Sequence, residues 1–163
     1  MADFSRRAPR CILVNVSTGE SMECQFNPAK LVEKVSVGWS RLTVPGLGRQ
    51  IVQFQSTGDR EFPSVEFWLD RTVPDAPDTA DFVAFLRSLT VPETPAEGAA
   101  AASPPRCLLL WPGVMSVEAV VTSLEIEFRR MSSEDGTPVQ CVATVSFEEV
   151  AAASPTSAER RKA

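Results

Sequence analysis

Few residues in this 163-residue chain have types and spacings that could do chemistry. It contains no histidine, the commonest general base and zinc ligand, and no tyrosine. Ser-His and Cys-His nucleophiles are therefore excluded. The four cysteines are Cys11, Cys24, Cys107 and Cys141, and no two are spaced as Cys-x-x-Cys, so a zinc ribbon has no support. Cys24 and Cys141 lie in alternating apolar runs, where a thiol acts as a small buried hydrophobe. Acidic residues do come in pairs: Asp75 with Asp78, Glu125 with Glu127, and Glu148 with Glu149. Glu125 and Glu127 share one strand face opposite an apolar one and read as solvated sheet surface; a glycosidase-like pair would also need a cleft. Gly46 and Gly48 in VPGLGR lead into the strand-like QIVQFQ, whereas a phosphate cradle requires a helix and a lysine to follow. We expect no catalytic residue, no metal site and no cofactor.

The elements that must position any site are mostly strands. Met22, Cys24 and Phe26 alternate with Glu23 and Gln25. Leu31, Val35, Val37 and Trp39 share one parity, interrupted by Glu33, and Val52 and Phe54 alternate with Gln53 and Gln55. Val65, Phe67 and Leu69 alternate with Glu66, Trp68 and Asp70. This period of two predicts half-buried strands. The strongest pattern runs through Val120, Thr122, Leu124, Ile126 and Phe128 to a turn at Asp135-Gly136. It returns through Val139, Cys141, Ala143, Val145 and Phe147, a long antiparallel hairpin. One helix is predicted, with Phe82, Phe85, Leu86 and Leu89 at i, i+3, i+4 and i+7. Asp78 or Thr79 is its N-cap, and Pro92 ends the run.

Composition is globular, with 44% hydrophobic and 23% charged residues. The net charge of −5 argues against non-specific nucleic-acid binding, which depends on Lys and Arg neutralising phosphates. No apolar run approaches the roughly 20 residues of a membrane span, so no membrane insertion is expected. At the start, Arg6, Arg7 and Arg10 are followed only by CILV, too short for a signal peptide. We therefore expect synthesis in a reducing cytoplasm, with free thiols. The organisation expected is a basic N-terminal arm (1–10), one β domain (11–150) with a low-complexity loop at 91–106, and a flexible tail (151–163). The fold class expected is mainly β, a barrel or sandwich with one flanking helix.

Asn27-Pro28 in CQFNPAKL reads locally as a turn between strands, because the residue before proline is pushed out of the α region. Trp68 has the parity of Glu66 and Asp70. Either it stands outward, as interface tryptophans do, or it is buried under a loop or the helix. In the same way, the charged outer face of the last hairpin would meet water in a lone barrel, but a neighbour or a lumen in a ring.

The order of motifs adds a further reading. Phe26-Asn27-Pro28 is followed by a strand reaching Trp39, a glycine loop, and a strand through Phe54. Next come FPSVEFWLD ending at Asp70, the short helix, PPRCLLLWPG with Trp111, and a hairpin with Asp135, Gly136 and Pro138 in DGTPV. Over roughly Cys24 to Val150 this resembles the tube-type baseplate proteins of contractile injection systems, relatives of the LysM-containing baseplate proteins. Pro112 here separates Trp111 from Gly113, which are commonly adjacent in that family. The resemblance implies a tail-tube-like fold and a structural, non-enzymatic role. The implied assembly is a hexameric ring that joins the hub and spike to the inner tube and initiates tube assembly. Its implied partners are further copies of itself, the hub/spike protein, the inner tube or a second tube-initiator protein, and other baseplate proteins. No LysM-type domain follows Glu149 in this sequence, so we expect its baseplate contact to be missing or supplied by another protein. The implied location is the cytoplasm during assembly, then a particle that is released or membrane-anchored. The other reading is a small-ligand-binding β-barrel, which the Asn-Pro turn, the helix and the long loop fit poorly.

Overall fold

A computed structural model describes residues 8–93 and 102–150. Most of the expected N-terminal arm, the centre of the 91–106 loop and the 151–163 tail lie outside the described residues. Chain order is β1 (Ile12–Asn15), β2 (Ser21–Glu23), β3 (Lys34–Thr43), β4 (Gln50–Asp70), α1 (Thr79–Ser88), β5 (Cys107–Trp111), β6 (Met115–Met131) and β7 (Pro138–Glu149). As expected, the chain is mainly β with one helix. The strands form a single seven-stranded antiparallel sheet in the order β2-β1-β5-β6-β7-β4-β3. Strands from either side of the 91–106 loop are interleaved, and the loop is drawn together at its base by the Glu93 N–H donating to the Ser103 carbonyl, 3.1 Å.

One face of the sheet is apolar because alternate residues are apolar. Leu13, Leu109, Val117, Ala143, Val145 and Phe147 point to the same side as Phe62, Val65, Phe67 and Leu69, and all are buried. The helix covers that side. Phe82, Phe85, Leu86 and Leu89 form the expected stripe, and Val83 widens it. Each such buried side chain stabilises the fold by about 1.5–3 kcal/mol. Asp78 is the N-cap and accepts the Ala80 N–H at 2.9 Å. Thr79, the alternative, is instead buried and donates its hydroxyl to the Pro138 carbonyl at 3.1 Å, tying α1 to the start of β7.

The structure differs from the sequence reading in three places. First, the two expected strands around Phe54 and Phe67 are one 21-residue strand, β4. Thr57-Gly58 separates the two in the sequence, but the strand absorbs it as a bulge and has a second bulge at Pro63-Ser64, seen as register shifts against β3 and β7. At the second bulge Ser64 has φ 55. Proline is tolerated there because a bulge does not require its missing N–H. At Gly58 an added Cβ would lie 3.2 Å from the Ser36 carbonyl oxygen, so glycine lets β3 approach closely.

Second, the last hairpin forms as expected, but β6 changes phase midway. The register slips between Val121 and Ser123, so Val121, Leu124 and Ile126 pack on the core while Val120 and Thr122 do not share their face. A bulge inverts parity, and simple alternation cannot reveal it.

Third, β2 stops at Glu23. Gln25 is then buried and Phe26 exposed, the reverse of the alternation expected from Met22, Cys24 and Phe26.

Candidate functional site

The reversal at Gln25 has a local cause. Its carboxamide meets a single residue of β4: Nε2 donates to the Asp70 carbonyl (2.9 Å), and Oε1 accepts the Asp70 N–H (2.7 Å). Two residues later Asn27 does the same for the N-terminal segment. Its Oδ1 accepts the Cys11 N–H (2.8 Å), and its Nδ2 donates to the Pro9 carbonyl (2.9 Å). A primary amide carries the same donor and acceptor as a peptide group, so each side chain stands in for a missing strand residue. Buried backbone groups must be paired, and here two side chains pair them where the ladder has ended. Pro28 is buried and fixes the turn between them. Gln25 and the Phe26-Asn27-Pro28 motif together thus form a clasp. It joins the N-terminal segment to the end of β4 and leaves Phe26 43% exposed.

Asp70 completes the joint. Its Oδ1 accepts both the Thr72 N–H (2.9 Å) and the Thr72 hydroxyl (2.6 Å), and its Oδ2 accepts from Gln140 Nε2 (3.3 Å). The Thr72 hydroxyl and N–H hold this carboxyl below the usual carboxylate range. The β6–β7 turn repeats the device: Asp135 Oδ1 accepts the Thr137 N–H (3.1 Å) and hydroxyl (2.8 Å), and its pKa is lowered for the same reason. Gly136 adopts φ 68, the left-handed conformation the turn requires. Pro138 begins β7.

Beyond the clasp the sheet extends into an arm. β4 pairs with β7 only from Glu61 to Asp70, whereas β3 follows β4 out to Gln50. The outer part is therefore a two-stranded ribbon. Trp39 stands opposite Phe54, their rings edge-to-face with centroids 5.5 Å apart. They remain 57% and 52% exposed, and Val35, Val37, Leu42, Ile51 and Val52 are exposed with them. The strands expected to be half-buried are thus wet, because neither layer of the core reaches them. Val35, Val37, Trp39, Val52 and Phe54 share one face of the ribbon, and Leu42 and Ile51 the other; a two-stranded ribbon is marginal in water, and an exposed apolar face marks an interaction surface. The root of the arm is pinned by an ion pair. Arg60 makes a bidentate pair with Glu149 at the end of β7 (Nη2–Oε1 2.7 Å, Nε–Oε2 3.0 Å), both side chains mostly buried, and Glu149 raises the Arg60 pKa.

Trp68 lies on the sheet face away from α1. It stands in one register row with Val142 and Glu127, and the Arg129 guanidinium sits 4.6 Å from its ring centroid. Its indole N–H donates to Glu66 Oε2 at 3.4 Å, and Arg129 also pairs with Glu127 at 3.2 Å. Trp68 is therefore an outward residue, half-covered by a cation–π contact rather than by a loop or the helix. Trp111 ends β5 at the turn into β6 and packs against the core. The turn closes with the Val114 N–H donating to the Trp111 carbonyl (2.9 Å), and Gly113 has φ 79. Pro112 is accommodated in that turn.

The singled-out residues therefore gather at five places: the clasp with Asp70, the arm with Trp39 and Phe54, the outer face with Trp68, the β5–β6 turn with Trp111, and the β6–β7 turn with Asp135, Gly136 and Pro138. Sequence reasoning missed Gln25, Gln140 and the Arg60–Glu149 pair. One signal was available, the repeated Asp-x-Thr of residues 70–72 and 135–137. Among the described residues no group of three or more His, Cys, Asp or Glu could hold a metal, and no helix is long and apolar enough to cross a membrane.

A family model described as contractile injection system tube protein matches residues 14–158. No curated protein matches the chain.

Proposed function

The chain belongs to the contractile injection system tube protein family, and from that premise we propose that it is a baseplate ring subunit, which joins hub and spike to the inner tube and initiates tube assembly. Membership carries a structural role in such a machine rather than a catalytic one. The ring proposed is hexameric, with hub/spike and tube or tube-initiator proteins on its two sides and other baseplate proteins around it.

The observation that carries the reading is the β3–β4 arm, whose apolar residues are left exposed by the core strands and the helix among the described residues. A sheet with a long free edge at β3 also invites pairing with another chain. Contacts of that kind, made head-to-tail, close into a ring when the rotation permits. The outer face with Glu66, Trp68, Glu125, Glu127 and Arg129 would then line the channel or face a neighbour. The alternative of a ligand-binding barrel finds less support, since α1 fills the apolar side of the sheet where such a barrel keeps its pocket.

The test is electron microscopy of the chain co-expressed with its hub and tube partners. A six-fold ring with a central channel supports the proposal. A stable monomer that co-purifies with a small molecule and never joins the partners overturns it.

A further inference from the structure

Cys11 and Cys24 are brought together in a way the other two thiols are not. Ile12 stands opposite Glu23 in the β1–β2 ladder, so the next pair is Cys11 opposite Cys24, and the Cys24 N–H donates to the Cys11 carbonyl at 2.9 Å. Both side chains are free thiols, at most 1% exposed. By contrast, Cys107 faces Asn15 and Ala119 across its two ladders, and Cys141 faces Leu69 and Phe128. Cys11 gives its own N–H to Asn27, so only one of the two bonds of a hydrogen-bonded pair forms here; directly opposed residues in an antiparallel pair have Cα atoms about 4.5–5.5 Å apart, within the roughly 4.4–6.8 Å that a disulfide spans. Cross-strand Cβ atoms are in general about 4.5–5.5 Å apart, against roughly 3.8 Å in a relaxed disulfide, which favours a reducible bond over a permanent one.

We propose that Cys11 and Cys24 are a reversible redox modification site, converted to a cross-strand disulfide by a small-molecule disulfide of the glutathione class. The Cys11 thiolate attacks one sulfur of the oxidant, whose S–S bond breaks and releases one thiolate. Cys24, losing its proton, then attacks the Cys11 sulfur and displaces the second thiolate. Two protein thiols are oxidised, one disulfide is reduced to two thiols, and the two protons end on those products. Contact with the Cys24 thiol lowers the Cys11 pKa, while the same contact and burial push Cys24 up, a direction that fits Cys11 as the first sulfur to attack. Access comes by local opening, since β2 is a three-residue edge strand beside the start of the described chain. The bond would staple that edge and fix Cys11, whose N–H the Asn27 clasp already holds.

Peptide mapping of the full chain tests this. Trypsin cuts after Arg10 and Lys30, so both thiols lie in one peptide, residues 11–30. The folded chain is incubated with oxidised glutathione, alkylated with N-ethylmaleimide in denaturant, and digested. The expected result is an 11–30 peptide lacking two hydrogens and carrying no alkyl group, while the Cys107 and Cys141 peptides are alkylated. Reduced glutathione should restore both alkylations. An 11–30 peptide carrying two alkyl groups, or one alkyl group and one glutathione, overturns the proposal. In Cys24→Ala the two-hydrogen loss should vanish and a glutathione adduct at Cys11 replace it; persistence of the loss would overturn the assignment. The wild-type map decides even if that variant does not fold.

Discussion

Replacing both arm aromatics, Trp39→Ser with Phe54→Ser, should separate folding from assembly. The two rings are 57% and 52% exposed. Aromatic side chains bury about 150–250 Å² when fully covered, so each leaves on the order of 100 Å² to be covered by a partner. At about 25 cal/mol per Å², covering both contributes at most about 5 kcal/mol per interface. That corresponds to between three and four powers of ten in dissociation constant, at about 1.4 kcal/mol per tenfold. Within the monomer the loss is the edge-to-face pair, about 0.5–1.5 kcal/mol. This is small beside the roughly 5–15 kcal/mol that holds a domain together. The variant should therefore keep the wild-type circular dichroism spectrum and a cooperative melt. In light scattering and microscopy of the co-expressed complex, rings should be lost. Rings at wild-type yield would refute the view that the arm is the assembly surface, and an unfolded variant would refute the view that its rings are idle in the monomer.

Three further outcomes follow from the clasp and the turns. Asn27→Ala removes the partner of the Cys11 N–H and should cost about 2–3 kcal/mol, the unpaired buried donor outweighing the exposed bond to Pro9. Urea titration reads the cost, and a shift below about 0.5 kcal/mol would refute the pairing, since even one net hydrogen bond is worth that. Gly136→Val forces a β-branched residue to φ 68 and should lower the melting temperature and speed amide exchange at the tips of β6 and β7, whereas unchanged exchange would mean the turn is misassigned. Asp70 and Asp135 have lowered folded-state pKa values, so their contribution is present above the unfolded value of about 3.9 and is lost as pH falls through the folded values. Asp70→Asn with Asp135→Asn should flatten the melting temperature against pH below about 4, and a profile parallel to wild type would contradict this.

The parts legible in the sequence share one property: they depend on neighbours close along the chain. The α1 stripe needs only residues 82–89, and Asp78 caps its own helix. Asp135-Gly136 makes its turn within residues 132–137, with a carboxylate two positions from its threonine. The parts that were not legible depend on register. Nothing local distinguishes Pro63-Ser64 as a bulge rather than a break, because the difference is whether β7 continues alongside. Parity placed Gln25 outward and Phe26 inward, yet the Asp70 peptide, 45 residues away, reverses both.

The amino-acid sequence by itself determined the alphabet of this protein: strands from alternation, one helix from its stripe, the Asp135-Gly136 turn, and no histidine for catalysis. Only the tertiary structure decided which polar groups are occupied and which apolar ones are left over. Gln25 and Asn27 are consumed by backbone groups that lost their ladder. Trp39 and Phe54, with the same period-two signature as the core residues Phe67 and Leu69, are left wet because β7 ends at Glu149 and α1 does not reach them. Alternation records that a side chain is meant to be covered. Whether its own subunit or another does the covering depends on how far the neighbouring strands run, and that is a property of the folded chain.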